Sequence, residues 1–105
     1  MPINSRAKGK RGELELSAFL DSLGHPARRG QQFKGSGDSP DVVCPSLPGI
    51  HLEAKRVQAG NPYNWLLQAI GDAGAKIPVV AHKRNRKEWL AILRLEDLIR
   101  IIDRK

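Results

Sequence analysis

The apolar residues of this chain switch between a period of two and a period near 3.6, and that switching restricts it to folds mixing helices with a sheet. Ile50-His51-Leu52-Glu53-Ala54-Lys55 alternates as a half-buried strand should. Asp41-Val42-Val43-Cys44 begins a short strand closed by Pro45, Pro48 and Gly49, and the few residues between the two runs predict an antiparallel hairpin. Residues 77–81 and 89–93 read as further strands, and residues 26–34 as a weak one ending in a Gly/Ser/Pro loop. Helical spacing governs the rest. Leu16, Phe19, Leu20 and Leu23 predict a helix over residues 12–23 with Gly24 as its stop. Asn61-Pro62 opens a second helix to about residue 75, burying Leu66, Ala69, Ile70 and Ala73. Leu95, Leu98, Ile99 and Ile102 stripe a third. The order α-β-β-β-α-β-β-α predicts a single α/β domain over 1–105, with a central mixed β-sheet of about five strands flanked by helices, and residues 1–8 as a mobile basic arm.

Charge narrows the partner. The chain carries 18 Lys and Arg against 11 Asp and Glu, a net charge of +7, which points to a polyanion with nucleic acid first. The excess is uneven: residues 1–34 and 79–105 are each at +4, whereas residues 35–78 are at −1. A nuclease needs this arrangement, with cations for phosphates and a few carboxylates for a metal. A solvated surface with uneven sampling of charge is the plainer account. The single cysteine, Cys44, excludes a disulfide scaffold and a multi-cysteine zinc site, and packs best as a small core residue. His25, His51 and His82 lack ligand spacing. The opening residues hold no apolar signal core and no run approaches a membrane span, so the expectation is a cytoplasmic protein.

Three segments carry chemistry together: Asp41 at the mouth of a strand, Glu53-Ala54-Lys55 on its neighbour, and Glu13 at the margin of the first helix's apolar face. Alternation puts Glu53 and Lys55 on one strand face, and a hairpin brings Asp41 beside them. Asp41 and Glu53 are hard oxygen ligands suited to Mg²⁺, with Mn²⁺ as the other choice. Glu13 completes the metal shell, directly or through water, and the backbone carbonyl of Ala54 is a further expected ligand. Lys55 orients the attacking water or stabilises charge developing at phosphorus. An acid, a gap and an acid-x-Lys is a loose pattern in a chain with 28% charged residues; its context, two adjoining strands after a helix with an inward-leaning Glu, gives it weight.

Lys8-Gly9-Lys10-Arg11-Gly12-Glu13-Leu14-Glu15-Leu16, then Gly35-Ser36 with Asp41, then Glu53-Ala54-Lys55 resemble the PD-(D/E)xK nuclease superfamily, and within it the Holliday junction resolvases of archaeal and phage type. The first segment matches the pattern K-G-x-x-x-E-R-x-L, with Leu14 where Arg is usual. The resemblance implies a restriction-endonuclease-like fold and a catalytic set of Glu13, Asp41, Glu53 and Lys55. It further implies a Mg²⁺-dependent homodimer that cuts opposed strands of a four-way DNA junction in recombination and repair, in a bacterial, archaeal or phage-infected cell.

The expected DNA-binding residues are Arg6, Lys8, Lys10 and Arg11 of the arm and first helix, Arg28, Arg29, Lys34 and Ser36 after it, and Lys83, Arg84, Arg86 and Lys87 in a basic turn. Gln68 is a candidate because related nucleases place a glutamine on the helix after the E-x-K strand; a solvent-facing glutamine is the plainer reading. His51 shares the face of Glu53 and reads as an ordinary strand histidine. Tyr63 and Trp65 read as packing residues, with base stacking as the other use. The last helix offers apolar surface in keeping with a dimer. Two other functions stay open: a different nicking or branched-DNA nuclease on the same core, and a basic nucleic-acid-binding module without catalysis.

Overall fold

The computed structural model describes residues 5–30 and 40–104, the first turn at residues 5–8 by its backbone only. The elements are α1 (Ser5–Ser22), β1 (Arg28–Arg29), β2 (Val42–Val43), β3 (Ile50–Lys55), α2 (Pro62–Ala73), β4 (Ile77–His82), β5 (Leu90–Ile92) and α3 (Leu95–Asp103). They form one five-stranded mixed sheet in the order β1-β2-β3-β4-β5. β3 and β4 run parallel, joined by the α2 crossover, and the other pairs are antiparallel. The expected element order and the hairpin between β2 and β3 are both found.

Each element follows from local chemistry. Asn61 caps α2, its side-chain oxygen accepting from the Tyr63 N–H at 2.9 Å, with Pro62 at the first helical position. β4 is buried at all six positions, as a central parallel strand covered on both faces should be. On one face Leu16 of α1 packs with Val42, Leu52, Val79 and Ala81 in the main core, joined by Cys44 and Ile77. Alternation turns His51, Glu53 and Lys55 to the other face, where α2 packs on β3 and β4 through buried Ala69 and Ala73.

Several expectations need correcting. α1 begins at Ser5, so residues 5–8 are helix rather than arm, and the rest of that arm lies outside the described residues. Two glycines in its first half had masked this, because glycine weakens a helix in isolation. Gly12 has a packing reason. A Cβ there would lie 2.7 Å from the Cβ of Arg56, so only glycine lets α1 approach the end of β3. Gly12→Val is expected to destabilise the protein by about 1–3 kcal/mol in urea denaturation. β1 is described over Arg28–Arg29 within the expected 26–34, of which residues 31–34 lie outside the described residues. Leu66 and Ile70 are half-buried rather than buried. The α3 stripe forms the expected helix, and Leu95, Leu98, Ile99 and Ile102 are exposed on it, the apolar surface that the sequence reading expected there. No described helix is long and apolar enough to cross a membrane.

Candidate active site

The site lies where β2 enters the sheet. The Asp41 N–H donates to the carbonyl of Leu52 at 2.9 Å, which sets Asp41 against the end of β3. Its Oδ2 accepts the Ala54 N–H at 2.9 Å, so the E-x-K strand holds the aspartate through its own backbone. The expected pairing of Asp41 with Glu53-Ala54-Lys55 is therefore a hydrogen-bonded fact. The Leu52 carbonyl and the Ala54 N–H face the β2 side of β3, and the Ala54 carbonyl projects to that edge too.

Glu53 is buried, its Oε1 3.0 Å from His51 Nε2, and the carboxyl of Asp72 on α2 acts on it electrostatically. Glu13 is on α1, its Oε1 accepting from Arg29 Nε at 2.9 Å. All three carboxyls are held above their ordinary range. Burial is the main cause for Glu13, opposed by its bond from Arg29 and aided by the charge of Asp41. Burial leads again for Asp41, against the Ala54 N–H and the charges of Lys55 and His51, with Asp72 adding to the rise. For Glu53 burial leads, His51 opposes it, and Asp41 and Asp72 reinforce it. The acids therefore feel one another in a partly dry place where a further positive charge would be welcome.

The side chains do not converge as fully as three ligands around one ion. Among the described residues no group of three His, Cys, Asp or Glu side chains is set to hold a metal. Glu13 is turned to Arg29 and Glu53 to His51. The donor chemistry still fits Mg²⁺, which takes one or two carboxylates and fills its shell with water and phosphate oxygen.

Sequence reasoning missed Asp72 and underrated His51. His51 is 1% exposed and braces Glu53 rather than merely filling a strand. Its signal was the shared period-two face. Asp72 showed itself only as an acid set between Ala69 and Ala73 in an apolar helix stripe. Gln68 is exposed one turn earlier on α2.

The basic residues divide. Lys10, Arg11, Arg28, Arg84, Arg86 and Lys87 are exposed. Arg29 is committed to Glu13, and Lys83 turns inward to Glu15 at 3.5 Å. Arg56, not singled out from sequence, ties α1 to the basic turn: its Nε is 3.0 and 3.1 Å from the Glu15 oxygens and it donates to Asn85 Oδ1 at 3.0 Å. The side chains of Arg6 and Lys8, and all of Lys34 and Ser36, lie outside the described residues.

No family model matches the chain, and no curated protein does. Among solved structures it is similar to Hjc of Archaeoglobus fulgidus, a Holliday junction resolvase from an archaeal hyperthermophile, with a TM-score of 0.58 and 21% identity over 92% of this chain and 82% of that one. This chain shares that neighbour's fold, a single domain with one mixed sheet flanked by helices.

Proposed function

We propose that this protein is a divalent-metal-dependent endodeoxyribonuclease that hydrolyses branched DNA, four-way junctions first. The observation that carries the reading is the Ala54 N–H bond to Asp41, which locks the strand-opening aspartate to the E-x-K strand among carboxyls raised by burial. The resolvase-like fold supports it. Asp41 and Glu53 would hold Mg²⁺ or Mn²⁺, aided by the Ala54 carbonyl and by the charge of Glu13. Such an ion, when bound, activates water and offsets charge at phosphorus. His51 fixes the Glu53 carboxyl, and the nearby acid Asp72 adds to the negative charge a cation would offset. Lys55, whose charge already acts on Asp41, orients the water or steadies the pentavalent phosphorus. Lys10, Arg11, Arg28 and the exposed turn cations grip the flanking phosphates. A DNA substrate would set the protein to work in the cytoplasm of a bacterial, archaeal or phage-infected cell.

The test is purified protein on a four-way junction, a flap and a linear duplex, each with Mg²⁺ or EDTA. Cleavage of the junction with Mg²⁺ alone is the expected result. Equal cutting of linear duplex would make it a less selective nuclease, and none of any substrate a binding module.

Two opposed cuts need two sites, and the exposed apolar face supplies a means of pairing. Leu95 is 73% and Ile102 64% exposed on α3, and the groove between α2 and α3 is walled by Tyr63, Leu66, Leu67 and Ile70. Patches of this kind on small soluble domains mark association surfaces. A second copy of the chain is the proposed occupant. Ile99→Glu combined with Ile102→Glu is expected to halve the mass in light scattering and to replace paired cuts by single nicks.

A further inference from the structure

We infer that a groove beside the acid-bearing end of the sheet receives one unstacked nucleotide of the bound DNA strand, with its base against Trp65 and its phosphate against Arg84, Arg86 and Lys87. This rests on the nuclease reading and adds to it the feature of branched DNA that is recognised.

The groove has a volume of about 640 Å³, in the range of sites that take small organic ligands. Its place is fixed by strand register. Lys55 and His82 are direct partners in the parallel β3–β4 pair, so their side chains leave the same sheet face one strand spacing apart, roughly 4.8 Å. Trp65 lies on His82, with ring centroids 4.6 Å apart and planes tilted by 51°. A groove floored by Trp65 therefore begins beside the catalytic lysine.

The floor is rigid. His82 Nε2 bonds the Val57 carbonyl at 2.9 Å, which fixes the ring beneath Trp65. Gly60, at φ +148°, lies so close to Trp65 that the indole fills the place a Cβ would take. Leu90 and Ile92 extend the apolar floor. The rim is cationic. Arg84, Arg86 and Lys87 line it with one acid, Glu88, and among the described residues none of the three cations makes an ion pair. Arg86 holds a left-handed backbone at φ 61°, uncommon for a non-glycine residue. A clamped aromatic beside unpaired cations is the chemistry of base stacking joined to phosphate binding. A base inside a duplex has both faces covered, and freeing it costs least where it is already unpaired or unstacked. At a branch point the stack is interrupted, so an exchange-point base is freed at lower cost than one inside a continuous duplex.

Anisotropy binding in EDTA tests this without relying on cleavage, using a labelled four-way junction and a linear duplex of the same sequence. Trp65→Leu is expected to weaken junction binding about tenfold and to leave duplex binding within about twofold, with Trp65→Phe restoring most of the loss. Arg84→Ala with Arg86→Ala should reduce the slope of log affinity against log salt by about two on the junction. Equal losses on both DNAs, or none, would overturn the inference. Should Trp65→Leu lose its native circular dichroism, Trp65→Phe and the arginine pair decide, and junction binding by that arginine pair with an unchanged salt slope counts against the groove. A native protein that cuts junctions while these variants bind them normally defeats the groove alone. A junction-selective loss in a protein that cuts nothing defeats the nuclease reading alone.

Discussion

Protein carrying Asp41→Asn is expected to bind a four-way junction at least as tightly as the native chain and to leave it uncut. The asparagine keeps an oxygen for the Ala54 N–H, so the bond that joins the β2 entrance to β3 survives. What goes is a negative charge close to a bound phosphate, which favours binding, and a hard ligand for the metal, without which water is not activated. Lys55→Ala should keep the fold and the metal but lose the ammonium beside Asp41. Each change is expected to slow single-turnover cleavage by about a hundred- to a thousandfold or more. A basic binding module predicts no difference between these proteins and the native one in any assay. The pairing of lost cleavage with retained binding separates the two accounts.

The second large effect is on stability. Glu13, Asp41 and Glu53 each ionise later in the fold than in the open chain, where ordinary values are 4.5, 3.8 and 4.5. A carboxyl raised in this way favours the fold most while protonated. Its contribution is full below the ordinary carboxylate range and is lost as pH climbs from there through the raised values. At neutral pH the metal-free protein thus carries buried charges at a cost, as functional sites often do. Asp41→Asn combined with Glu53→Gln should therefore melt higher than the native protein in EDTA at neutral pH, by about 4–8 °C for each kcal/mol relieved. The gap should close as pH falls into the carboxylate range. Mg²⁺ should raise the melting temperature of the native protein and not of the double variant. Thermal melts over pH, with and without the metal, read all three outcomes.

Much of this was legible because the relevant signals are local. Ile50–Lys55 is found at the limits its alternation gives, and Asn61-Pro62 starts α2 where a cap and a fixed φ require it. The link between Asp41 and the E-x-K strand followed from a short hairpin and the alternation of side chains. The misses are long-range. α1 extends back through Gly9 and Gly12 despite their weak helix propensity, and Gly12 packs there against Arg56 at the end of β3. Asp72 acts on Glu53 only because the crossover lays α2 over β3, and no spacing within α2 records that proximity. Arg29 and Lys83 read as free cations in sequence, yet their partners Glu13 and Glu15 come from α1 once it docks. The apolar period of α3 identified a helix and left open whether the chain itself covers it.

Anomalous diffraction from crystals grown with Mn²⁺ addresses the central claim most directly, since it locates the ion irrespective of substrate. The account predicts a single strong peak at coordination distance from carboxylate oxygens of both Asp41 and Glu53, absent in the Asp41→Asn protein. A peak elsewhere on the chain, or none at saturating Mn²⁺, would contradict it.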